Sequence, residues 1–182
     1  MTAGLAVFLA ACETTRETSD GRPMPPTPRN APTTPSEAPI NAIAVVLGPK
    51  ALDSNNNLFP DTIQLEAYLF ARPYPTPVWR DGTFEFAIYP SGAAPTTGGQ
   101  PQEPLRTWTI TPEELRTVRS KSLVGECYAI PLSLLVNGGT DRLNMQAVDL
   151  VATFKPADGG PAVPLNGVRS MSMAPIAVQQ GR

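Results

Sequence analysis

The residues best spaced for chemistry lie in one short run, ALDSNNNLFPD. It places Asp53, Asn55, Asn57 and Asp61 close together. Oxygen-bearing side chains on alternate residues suit a hard cation such as Ca²⁺, because a chain that curls round the ion turns every second side chain inward. The same residue types also build Asx-turns, in which a side-chain oxygen accepts from the backbone two residues on. The run therefore supports two readings, a weak Ca²⁺ site or a polar loop between strands.

Asp53-x-Asn55-x-Asn57 is similar to the opening of an EF-hand loop and to the Asp-rich turns of extracytoplasmic β-domains. It departs from that pattern twice. The sixth position, normally Gly, is Leu58, and the twelfth, normally Glu, is Gln64. Only two carboxylates remain, so the resemblance implies weak binding at most.

Other chemistries find less support. The chain holds no histidine, which removes Ser-His-Asp triads, Cys-His pairs and imidazole metal ligands. Cys127 has no imidazole to activate it, and at the start of an apolar run it reads as a small buried hydrophobe. A disulfide to Cys12, the other cysteine, requires Cys12 to be unmodified. Ser120-Lys121-Ser122 offers a serine beside a lysine, but adjacent residues do not face one another, and the segment reads as a solvated turn. Acid pairs could serve glycoside hydrolysis. Here Glu113 and Glu114 are explained by a helix N-terminus, Glu85 by an outward strand position and Asp81 by a turn. The chain is expected not to be an enzyme.

Aromatic residues are sparse at 7%. Trp79, Trp108, Tyr89 and Tyr128 could line a ligand platform or, as such residues more often do, plug the ends of a sandwich core. The run from Ala71 to Arg80, ARPYPTPVWR, differs: three prolines stiffen a loop that carries Tyr74 and Trp79. A stiff loop loses little entropy on binding, so these two are the candidate binding anchors.

The elements that must position these groups read as β. Ile63, Leu65, Ala67 and Leu69 alternate with more polar neighbours, as do Phe84, Phe86 and Ile88, and Tyr128, Ile130, Leu132 and Leu134. Ile43–Leu47 and Leu105–Ile110 are shorter strand candidates. Between Leu143 and Phe154 the apolar phase changes, which predicts one long strand with a β-bulge. Asp158-Gly159-Gly160 predicts a turn into a strand near Ala162–Leu165. One helix is expected near 111–120, where Thr111-Pro112-Glu113-Glu114 forms a capping box with proline in the first turn. The whole predicts a mainly β chain, an antiparallel β-sandwich of about seven or eight strands with one short helix. The plan resembles immunoglobulin-like or C2-like modules, which implies nothing about function.

Ahead of this domain the chain changes character. Seven prolines fall between Pro23 and Pro39 among Thr, Ser, Asn and Arg, a composition that cannot bury a core. Residues 12–40 are therefore expected to be a disordered tether and 41–182 the folded domain. Residues 1–11, MTAGLAVFLAA, are nearly all small or apolar and end at Leu9-Ala10-Ala11-Cys12. This resembles the lipobox of bacterial lipoproteins, with 1–11 as a truncated signal peptide. The resemblance implies that the Cys12 thiol is alkylated by a diacylglycerol and becomes the first residue after cleavage. The polar sequel Glu13-Thr14-Thr15-Arg16 agrees with it.

Fourteen Lys+Arg against 16 Asp+Glu give a net charge of −2, which lacks the basic excess of a nucleic-acid binder. The expected protein is a lipid-anchored component of the cell envelope, held to a membrane through Cys12. Its sandwich would bind or support an envelope protein or a surface polymer. The alternatives are a carbohydrate- or Ca²⁺-binding module, and an envelope protein analogous to type VI secretion lipoproteins.

Overall fold

The computed structural model describes residues 32–95, 102–143 and 145–175. Within them the chain is mainly β and forms two antiparallel sheets. The strands are β1 (Ala42–Leu47), β2 (Thr62–Phe70), β3 (Gly82–Pro90), β4 (Arg106–Ile110), β5 (Arg119–Lys121), β6 (Glu126–Ser133), β7 (Ala147–Pro156), β8 (Val163–Pro164) and β9 (Arg169–Ser172). One sheet has the order β1-β2-β6-β5; the other runs β4-β3-β7-β8, with β9 also on β7. The helix α1 (Pro112–Thr117) carries the chain from one sheet to the other.

Alternation dictates which face each strand buries. Ile63, Leu65, Ala67 and Leu69 of β2 are buried, as are Tyr128, Ile130 and Leu132 of β6. From the second sheet come Phe84, Phe86 and Ile88 of β3 and Val148, Leu150, Ala152 and Phe154 of β7. All of these inward residues belong to one continuous core. Phe84 is its centre: its ring packs on Phe86 (5.3 Å), on Phe154 (4.9 Å) and, edge-on across the two layers, on Tyr128 (6.0 Å). Each such buried side chain contributes ~1.5–3 kcal/mol.

The helix is short because its signals are. Thr111 caps it, accepting from the Glu114 N–H, while the Glu114 carboxylate accepts from the Thr111 N–H at 2.8 Å. Only Leu115 is buried, so the helix ends after Thr117 and Arg119 already belongs to β5.

Four sequence expectations need correction. The segment 143–154 is not one bulged strand: β7 begins at Ala147, and Leu143 and Met145 lie in the preceding loop, so the change of phase marks the strand's start. The stretch 119–122 is not a plain turn, since β5 pairs with β6 there. β9 is missing from the sequence expectation, although Ser170-Met171-Ser172-Met173 alternates and buries Met171 and Met173, and it brings the strands among the described residues to nine. The domain also starts before residue 41. Ile40 is 5% exposed and belongs to the core, and Thr34 and Pro35 bond to the 71–80 loop. Cys12 and most of the expected tether lie outside the described residues.

Candidate functional site

The Asp53–Asp61 loop is fastened from both ends. Asp53 accepts from Asn57 N–H at 3.1 Å through Oδ1 and from Leu58 N–H at 2.7 Å through Oδ2. Asn55 and Asn57 each accept a backbone N–H two residues on, at 3.1 and 2.9 Å. These are the Asx-turns their types favour. Leu58 adopts a φ of +72°, so it takes the left-handed turn that glycine supplies in a calcium loop.

Asp61 sits at the loop's base and is 0% exposed. Its Oδ2 accepts from Ser54 N–H (2.9 Å) and Ser54 Oγ (2.8 Å), its Oδ1 from Thr62 Oγ1 (2.6 Å). Burial pushes this carboxyl up, but the hydrogen bonds from Thr62 and Ser54 outweigh it and hold the pKa below the ordinary value of 3.8. Asp61 thus acts as a pin between Leu52 and Leu134, whose backbone groups it also bonds at 2.7 Å each.

Sequence reasoning missed Asp141. It lies in the segment that follows β6 in the chain, and its Oδ2 accepts from Asn57 Nδ2 at 2.6 Å and Asn55 Nδ2 at 3.2 Å. The two amides hold its carboxyl below the usual range. Of the four expected ligands, Asp53, Asn55 and Asn57 are therefore grouped with Asp141, and Asp61 is turned to Ser54 and Thr62. Among the described residues no three of Asp, Glu, Cys or His are gathered as a metal group. A cation would need the Asn55 and Asn57 amides to turn their oxygens toward Asp141.

The second candidate, the 71–80 loop, is built as a rigid brace. Arg72–Pro73 is cis, and Asn41 brackets Arg72 with bonds to its N–H (2.8 Å) and carbonyl (3.0 Å). Tyr74 is half-buried. Trp79 is half-buried too, and its indole N–H donates to the Cys127 carbonyl at 2.9 Å. Its backbone N–H donates to the Glu126 carboxylate at 2.9 Å. Arg119 and Lys121 lie over the Trp79 ring, 5.6 and 5.5 Å from its centroid. The ring that could have served as a bare platform is engaged by the hairpin β5–β6.

Cys127 is 1% exposed. Burial pushes its thiol pKa up, helped by the Glu66 charge, which disfavours the nucleophilic thiolate. Tyr68 lies beside it on the outer side of the sheet and bonds to Glu66 and, at 2.9 Å, to Ser122. Burial and the bond to Glu66 raise the phenol's pKa. A second buried carboxylate unseen in the sequence, Asp149, accepts from Gly92 N–H (2.7 Å) and Ser170 Oγ (2.6 Å). Both are satisfied structural contacts.

The chain matches no protein-family model, no curated protein and no solved structure. Among the described residues no helix is long and apolar enough to cross a membrane.

Proposed function

We propose that this chain is a lipid-anchored protein of the bacterial cell envelope whose β-sandwich is a non-catalytic binding or structural module. The observation that carries the reading is Leu9-Ala10-Ala11-Cys12 followed at once by polar residues. Small residues before the cysteine admit a signal peptidase, and the thiol provides the nucleophile that is alkylated, taking a diacylglyceryl group as a thioether. The proline-rich composition after it suits a spacer, at ~3.1 Å per residue where it is extended. The sandwich supports a binding or bracing role through the rigid 71–80 loop, set to meet an envelope protein or a surface polymer.

The test is intact-mass analysis and membrane fractionation after expression in a bacterial host, with a basic n-region supplied and Cys12→Ala alongside. A membrane-bound species that starts at Cys12 with added acyl mass, absent from Cys12→Ala, supports the reading. Soluble, unmodified protein refutes it.

A calcium-binding module is the second reading. It is favoured by Leu58 at φ +72° in the glycine position and by Asp141 beside Asn55 and Asn57. Millimolar sites are usual in extracellular modules. A rise in Tm with millimolar Ca²⁺ but not Mg²⁺, lost in Asp141→Ala, supports it; an unchanged Tm refutes it.

A further inference from the structure

The hairpin joining β5 to β6 is closed by Ser122 and Gly125, whose backbones bond to each other at 2.9 and 3.2 Å. Its two tip residues are Leu123, 108% exposed, and Val124, 59% exposed. Nothing in the turn asks for them. Tight turns favour Gly, Asn or Asp for their backbone freedom, and a bare leucine at a tip contributes no packing. The tip is also held firmly: a Cβ on Gly125 would stand 3.0 Å from Pro77, so hairpin and 71–80 loop are in close contact.

Behind the tip the chemistry changes in order. Lys121 lies two residues back along the strand, ~7 Å at ~3.3 Å per residue, and Arg119 two residues further. Both are exposed and both cover the half-buried Trp79. Arg119 is paired with Asp81 at 3.1 Å. Lys121 has no carboxylate at ion-pair distance among the described residues. The acids nearest this end are engaged, Glu126 with the Trp79 N–H and Glu66 with Tyr68. An apolar tip, then a cation with no ion pair among the described residues, then the indole it covers is the sequence of chemistries met on passing from acyl chains through phosphates to the wet interface. The chain also reaches the described domain at this end, where Thr34 Oγ1 donates to the Thr76 carbonyl at 3.1 Å.

We infer that the Leu123–Val124 hairpin tip is a membrane-contact site that dips into the acyl boundary of an anionic lipid surface, with Lys121 at the phosphates. The inference deepens the anchored reading and rests on it for the membrane at hand, since a lipid on Cys12 would keep the tip within reach of a bilayer.

The experiment uses the full chain carrying Cys12→Ala, so that no acyl group contributes. It measures co-flotation with vesicles of phosphatidylethanolamine and phosphatidylglycerol, and with neutral phosphatidylcholine vesicles. Binding to the anionic vesicles is expected, weakened at least about tenfold by Leu123→Asp with Val124→Asp. Lys121→Glu should weaken it about fivefold on anionic vesicles and little on neutral ones. Both tip residues are exposed, so an unchanged circular dichroism spectrum is expected for each variant. Absence of binding, or binding indifferent to the tip substitutions, overturns the inference. So does self-association in sedimentation velocity that the tip substitutions abolish without any vesicle binding, which would assign the tip to a second copy of the chain. These outcomes are independent of the acyl mass at Cys12, so this inference and the anchored reading can fail separately.

Discussion

The hydroxyl of Tyr128 donates to the Arg80 carbonyl oxygen at 2.7 Å and accepts from the Arg80 N–H at 2.8 Å. One fully buried side chain on β6 thereby satisfies both backbone groups of a residue that leads into β3 of the other sheet. The contact ties the two layers together at the foot of the 71–80 loop. It also explains how a phenol sits in the core beside Phe84 without an unpaired polar atom.

Tyr128→Phe keeps the ring and its packing but leaves the Arg80 N–H and carbonyl unpaired. Each buried group so stranded costs ~1–3 kcal/mol. Urea unfolding should show a loss of about 2–4 kcal/mol with an unchanged m-value. A loss near zero would mean that water reaches Arg80.

Trp79→Phe preserves most of the apolar contact and removes only the indole N–H that bonds Cys127. The expected cost is about 1 kcal/mol, one ordinary hydrogen bond, with faster amide exchange at Trp79 and Cys127. Trp79→Ala should cost clearly more, because the seat beneath Arg119 and Lys121 empties.

Acid should weaken the fold through Asp61, Asp81 and Asp141. Burial raises the Asp61 pKa and bonds from Thr62 and Ser54 more than reverse it; the Arg116 guanidinium lowers Asp81, and the Asn57 and Asn55 amides lower Asp141. All three folded pKa values thus lie below the ordinary 3.8. For depressed carboxyls the stabilisation is fully present above the unfolded value and disappears as pH falls through the folded one. Stability should therefore be flat from about pH 5 to about pH 8 and fall below about pH 4. Asp61→Asn should shrink that fall, read from urea midpoints across the acid range. An unchanged acid slope in the variant would show that Asp61 is not one of the groups responsible.

Gly82→Ala should destabilise by about 1–3 kcal/mol, the range for forcing atoms into a packed core. A Cβ there would stand 2.6 Å from the Lys155 carbonyl and against the Phe154 ring. Thermal melting measures it, and a wild-type Tm would mean that β7 can shift away.

The sequence by itself determined the class of the fold and most of its strands. Period-two alternation in β2, β3 and β6 names the buried face without reference to any partner, because a strand's side chains point to opposite sides whatever it pairs with. Thr111 to Glu114 determined where α1 begins, since a capping box is closed within four residues. The Asx character of Asn55 and Asn57 was legible for the same reason. Only the tertiary structure decided what lies across large separations. Asp141 meets Asn55 from 86 residues away, and Trp79 meets Cys127 from 48. Asp141 carries no local mark of that role, and the short Ser170–Met173 alternation does not say that its partner is β7. Such contacts depend on how sheets stack and which loops they bring together, a sum of many weak packing terms that no short stretch of residues encodes.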